Sequence, residues 1–267
     1  MTYRSILLAG LLLALSLPFP AVAQDAPDPR AIMQRVHDRD DGDNLTCTME
    51  MILIDRDGGK RVRRLSQFGK DKGVDTLGLL FFLYPADVAG TGFLSWDYDD
   101  SARDDDQWLY LPALHKTKRI ASSDKSGSFM GSDLSYADLT KANPNDYNYS
   151  LKKEMDVDGH KVWVIESVPK TEKTRDETGY LKSLLLVRQD NDVVVRSVSW
   201  LKNGDLKYVD MTKLELIDGI WVGTELHVTT KRNKEIRHQT LLRLSDVTFN
   251  QPLSEDFFSV RQLEKGL

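Results

Sequence analysis

The chain predicts a mainly β protein, one antiparallel meander curled into a barrel or half-barrel with two or three short helices. Three observations carry this. Alternating apolar and polar runs are joined by the turn pairs Asp158-Gly159, Asn203-Gly204 and Asp218-Gly219, the strongest short-range hairpin signal. Strands do not alternate with long helical patterns, which argues against βαβ units and a parallel sheet. No internal repeat or linker divides the sequence, so its eleven or twelve strands fall to one domain over residues 24–267.

Residues 1–23 read as a secretory signal peptide. Arg4 supplies the positive start and residues 6–17 an almost wholly apolar run, which Pro18 and Pro20 break. Ala21, Val22 and Ala23 give the small-x-small pattern that is cleaved after Ala23. Roughly a dozen apolar residues are too few to cross a ~30 Å hydrocarbon core comfortably. No later segment is apolar enough to span a bilayer, so the expectation is an exported, soluble chain that meets membranes only transiently. Gln24 stands where a lipid-anchored protein needs cysteine. The only cysteine, Cys47, lies in an alternating run and is expected as a buried, inert thiol. A formal net charge of −5 argues against nucleic acid as the main partner.

Asp28 and Pro29 open a helix with an apolar stripe at Ile32, Met33 and Val36, which stops at residues 40–44. From there the apolar period is two. Leu45, Cys47, Met49, Met51 and Leu53 share one face of a strand, and a turn at residues 57–60 leads into its return over 61–68. Strands follow at 77–84, 92–98 and 107–111, the last two split by the acidic loop 99–106, with another at 115–121. A Ser- and Gly-rich stretch, 122–132, precedes a short helix over 133–139 capped by Ser132 or Asp133. The remainder is hairpins: 149–157 with 161–168, 181–188 with 193–201, then 206–217, 221–231 and 237–249.

Motifs for chemistry are lacking. His37, His115, His160, His227 and His238 hold no metal-ligand spacing, although His227 and His238 could face each other across a hairpin. There is no nucleophile elbow or phosphate loop. Ser122 and Lys125 match S-x-x-K, yet Leu134 follows Ser132-Asp133 where S-D-N needs Asn, and no K-T-G comes after. Asp97, Asp99, Asp100, Asp104, Asp105 and Asp106 could surround calcium, which takes about six to eight oxygens, but lack the EF-hand order. The expectation is a solvated acidic loop, no catalytic residue, no metal and no cofactor.

The apolar content says more. Leu79, Phe81, Trp96, Trp108, Tyr110, Trp163, Leu184, Leu186, Trp200 and Trp221 sit on expected strands. Two or three short helices cannot cover so large an apolar sheet face, so either a second sheet packs on it or the sheet curls around a cavity. These ten residues, with Phe129 and Met130 as flaps from the 122–140 stretch, are the expected lining. Lys116, Lys118 and Arg119 are candidates for a head group or an acidic partner.

From Trp108-Leu109-Tyr110-Leu111-Pro112, through Lys116, Lys118, Arg119 and Ile120, to the run from Ser128-Phe129-Met130-Gly131 to Asp138-Leu139, the chain resembles the LolA-like outer-membrane lipoprotein-sorting proteins. The likeness is to the branch often encoded beside resistance-nodulation-division exporters. Val157-Asp158-Gly159 with Trp163, Asp218-Gly219-Ile220-Trp221, and the ending with Phe249-Asn250, Leu253 and Asp256-Phe257-Phe258 resemble the same branch. The resemblance implies a half-open antiparallel β-barrel with helices as a lid over an apolar concavity. It implies a periplasmic carrier of lipid or lipidated protein, passing cargo from an inner-membrane exporter towards an outer-membrane acceptor, with no enzyme activity. The rival expectation is a non-carrier envelope protein of the same fold that binds a protein partner.

Overall fold

The computed structural model describes residues 26–267; the expected signal peptide, residues 1–23, lies outside them. Asp28 accepts from the Arg30 amide and Pro29 takes the first position of α1 (Pro29–His37). There follow β1 (Asn44–Asp55), β2 (Lys60–Lys72), β3 (Asp75–Tyr84), β4 (Gly92–Asp97), β5 (Asp106–Leu111) and β6 (Lys116–Arg119). After a long crossing segment come β7 (Tyr147–Val157), β8 (His160–Pro169), α2 (Glu172–Thr178), β9 (Tyr180–Arg188) and β10 (Val194–Leu201). The chain ends with β11 (Leu206–Ile217), β12 (Ile220–Arg232), β13 (Glu235–Phe249) and α3 (Val260–Lys265). At Asp158-Gly159 and Asp218-Gly219 both residues take positive φ, which the right-handed strand twist favours in two-residue hairpins.

All thirteen strands form one antiparallel sheet in the order β6-β5-β4-β3-β2-β1-β13-β12-β11-β10-β9-β8-β7. The chain works outward from β1 to the β6 edge, crosses to the opposite edge at β7, and returns strand by strand until β13 pairs with β1. The edges β6 and β7 do not pair, so the barrel stays half open. Both edges are protected against further pairing: β6 is four residues long, and β7 carries Lys152, Lys153 and a bulge.

The structure has more strands than the eleven or twelve expected. The expected strand 115–121 is shorter, because Pro112 opens a 3-10 turn and His115 adopts a left-handed φ of 47°. The expected helix at 133–139 is only a 3-10 turn, Tyr136–Leu139. Its cap is Ser135, in reciprocal bonds with Asp138, and not Ser132 or Asp133. Cys47 is buried, and burial, with Asp246 nearby, pushes its thiol up to about 12.

Strand register assigns the two faces. Met49, Met51, Leu53, Leu65, Leu80, Phe82, Phe93, Leu109 and Leu242 face inward and pack with Phe129, Leu134, Tyr136 and Leu139 of the crossing segment. Leu77, Leu79, Phe81 and Leu94 alternate with them on the outer face, under Leu253, Phe257, Phe258 and Leu263 of the C-terminal segment. In this half of the sheet each face thus has its own cover, and the crossing segment, residues 120–146, lies inside the curl.

Candidate functional site

Polar bonds fasten the crossing segment to the inner face at intervals. Arg63, on β2 and stacked by Phe82, donates to the Met130 carbonyl. Asp133, its side chain 3% exposed, accepts from Thr230 at 2.6 Å and Thr240 at 2.7 Å, and its other contact is His238 Nδ1 at 2.7 Å. Gln107 donates to the Tyr136 carbonyl at 3.0 Å. Asp138 takes the Lys207 ammonium at 2.7 Å, the Ser135 amide and the Tyr180 hydroxyl. Burial pushes the Asp138 carboxyl up, but Lys207, Ser135 and Tyr180 outweigh it and hold the group below its ordinary value. Asp133→Ala removes one such anchor and strands buried hydroxyls; about 2–3 kcal/mol of stability should be lost, read from urea unfolding.

Two apolar spaces remain beside this segment. The smaller, about 250 Å³, lies among Met49, Met51, Leu80, Phe93, Phe129, Leu134 and Leu242. The larger, about 410 Å³, lies under α1 and falls in the ~300–1,000 Å³ range of small-molecule sites. Met33 and Val36 of α1 roof it, and its floor is Tyr147, Tyr149, Tyr180, Leu185, Val194 and Val209 with the row Ser167, Ser183, Ser197 and Ser199. The helix is held in place by Arg30 on Asn145, Arg35 on Asp192 and His37 on Asp99. Burial pushes the Tyr149 hydroxyl up to about 12 and that of Tyr147 further, so both tyrosines stay neutral at physiological pH.

The expected lining needs correction. Phe81, Trp96, Trp108 and Tyr110 belong to the outer cluster under the C-terminal segment; so does Leu79, which also borders the smaller space beside Gly78. Leu184 and Leu186 are on the outer face with Val162 and Val164, because their neighbour Leu185 points inward. Trp200 pairs in register with Lys182, which lies over its ring, and faces outward too. Trp221 lies near the start of β12 beside Arg188, its carbonyl taken by Arg39. Trp163 does face inward, against the α1 cluster, and Phe129 and Met130 lie in the inner core. Of the cationic candidates, Lys118 pairs with Asp124 at 3.3 Å and Arg119 with Asp106, while Lys116 is exposed at the β6 edge. The lining residues missed by sequence reasoning carry one usable signal, the polar-apolar parity of β9 and β10, with Ser183, Leu185, Ser197 and Ser199 on one face.

The acidic loop is knitted into the protein. Asp104 accepts from Ser122 and pairs with Lys173, Asp105 accepts from the Tyr98 amide, and Asp106 pairs with Arg119. Ser122 is thereby turned towards Asp104, which leaves S-x-x-K without a nucleophile geometry. His227 and His238 face opposite sides: His238 reaches Asp133 inside, while His227 contacts Gln239. Asp97 is pushed up to about 7 by burial and by Asp105. Between its unfolded value of 3.8 and about 7 the folded state holds a proton that the unfolded chain releases, so stability falls as pH rises through this window. Asp97→Asn should flatten that part of the profile, gaining stability over wild type at pH 8 but not below pH 4, as read from urea midpoints.

One protein-family model, described as "Uncharacterized protein", matches residues 75–265. No curated protein matches the sequence. Among solved structures, a DUF1329 family protein from Desulfovibrio piger has a TM-score of 0.81 at 32% identity, over 89% of this chain and 100% of that one. A domain from Vibrio parahaemolyticus ascribed to outer membrane lipoprotein sorting has a TM-score of 0.80 at 30% identity, over 88% of this chain and 98% of that one. The LolA superfamily protein NE2245 from Nitrosomonas europaea has a TM-score of 0.67 at 19% identity, over 89% of this chain and 100% of that one. The fold is therefore LolA-like, an open β-barrel with a helical lid.

Proposed function

The chain belongs to the DUF1329 family, and from that premise we propose that it is a periplasmic carrier holding acyl chains of a lipid or a lipidated protein. The observation that carries this reading is the cavity of about 410 Å³ under α1, lined by apolar side chains, neutral tyrosines and serines, with Arg39, Asp41, Asp138 and Lys141 also in its wall. Burying hydrocarbon is worth about 0.8 kcal/mol per CH₂. A preformed groove thus holds a tail by burial alone, with no catalytic residue, metal or cofactor in the scheme. The likeness to a domain ascribed to lipoprotein sorting supports the cargo class.

In this reading residues 1–23 direct export and are cleaved after Ala23, and residues 24–267 form one carrier domain. An inner-membrane exporter hands over the cargo and an outer-membrane acceptor receives it. Met33, Val36, Tyr149, Leu185, Val194 and Val209 make the tail site. Residues 120–146 are the gate, since they border both apolar spaces, with Asp138 in the wall of each. Lifting them joins the two apolar spaces on either side. Mass spectrometry of organic extracts from gently purified protein tests the reading. About one lipid per chain is expected; protein that comes out empty and takes up none from envelope lipid contradicts it.

A further inference from the structure

A polar crevice of about 570 Å³ adjoins the cavity under α1 and shares Tyr147, Tyr180 and Ser197 with it. Its walls are the β4–β5 loop, Lys125 and α2. The chain beside Lys125 packs on the end of α2, where Ser126 lies against Gly179. Most charges here are already paired, as Lys173 is with Asp104 and Asp138 with Lys207. The Glu177 carboxylate is not fully satisfied, and the Lys125 ammonium is only loosely paired. The Lys125 side chain is only 5% exposed, and its nearest carboxylate oxygen, on Asp105, is 3.7 Å away, beyond hydrogen-bond reach. Glu177 Oε1, on α2, is buried and makes no hydrogen bond within the protein. The two lie close enough for Lys125 to pull the Glu177 carboxyl down against the burial that raises it.

A buried ammonium held only by a 3.7 Å ion pair and a buried carboxylate oxygen without a donor, both lining a crevice next to an apolar cavity, suit a group carrying both signs. The lining as a whole has six carboxylates and four cations. A purely anionic head would meet the carboxylates unpaired, and a purely cationic one would meet the lysines. We propose that this crevice takes the zwitterionic head group of the carried amphiphile, an anionic oxygen on Lys125 and an ammonium on Glu177, while the tail runs under α1. This rests on the carrier reading above and adds to it the class of head group.

Calorimetric titration of the purified protein with three single-tail amphiphiles of one chain length tests it: lysophosphatidylethanolamine, lysophosphatidylglycerol and a monoacylglycerol. The zwitterion is expected to bind about tenfold or more tightly than the other two, as a charge-assisted pair would give. Lys125→Gln and Glu177→Gln should each erase that preference, bringing lysophosphatidylethanolamine down to the affinity of the other two. Glu177→Gln, on a surface helix, keeps the test open if the buried Lys125→Gln disturbs folding. Equal binding of all three, unaltered by either substitution, overturns the head-group assignment, leaves water to satisfy the pair, and keeps the carrier reading. Binding of none of the three overturns the carrier reading and the assignment with it.

Discussion

Phe129→Ala is expected to lower the unfolding free energy by about 3–5 kcal/mol, the usual cost of emptying a fully buried phenylalanine site. Phe129 has no exposed surface. Its ring meets Phe93 at 5.3 Å, Tyr136 at 5.7 Å and Phe82 at 5.9 Å between centroids. It is the point at which the crossing segment plugs the inner core of the first half of the barrel. The residue directly precedes Met130, which Arg63 holds, and is close in sequence to Asp133 and its cluster, so its loss also weakens the gate locally. Urea unfolding should give a lower midpoint with the slope unchanged. Stopped-flow release of a fluorescent fatty acid should become faster. A loss within ~0.5 kcal/mol, the ordinary range for surface substitutions, would mean that the segment does not pack as described.

The second large effect is on binding. Ser197 of β10 lies in register between Leu185 of β9 and Val209 of β11, on the floor of the cavity under α1. Ser197→Trp puts an indole into space that the proposed tail needs. Lipid recovered with the protein should fall at least about tenfold, on the scale expected when a buried apolar contact of a few CH₂ groups is denied. Far-UV circular dichroism should not change, because the new ring enters a cavity and displaces no packed side chain. Val198→Trp is the matched control. Its register partners, Leu184 and Tyr208, belong to the outer face, so it should leave lipid content at the wild-type level.

The hairpin order was legible in the sequence because the turn pairs and the period of two are local properties. The helix at Asp28-Pro29 was legible for the same reason, since its cap and its apolar stripe are read within ten residues. Which apolar face would be free was not. Leu79, Phe81 and Trp96 look like cavity residues until Phe258 and Leu263, some 160 to 180 residues onward, fold across them; strand periodicity carries no information about that cover. Leu184 and Leu186 misled by size. In the run Leu184-Leu185-Leu186 the inward residue is picked out only by the serines on its face, Ser197 in register with it on β10 and, two pairs along, Ser183 with Ser199. The 3-10 turn at Tyr136–Leu139 is stopped from extending by Asp133, whose carboxylate bonds strands β12 and β13 and so takes residues 132–134 out of any helix. That constraint is tertiary, between residues about a hundred positions apart.

Photolabelling reads directly whether a hydrocarbon tail lies under α1. A fatty acid carrying a diazirine near the middle of its chain is equilibrated with the purified protein, irradiated, and the adducts are mapped by peptide mass spectrometry. Labels are expected on Met33, Tyr149, Leu185 and Val194, and are expected to be lost in Ser197→Trp. Labels confined to the outer face at Leu184, Leu186 or Trp200, or no label at saturating probe, would contradict that placement of the tail.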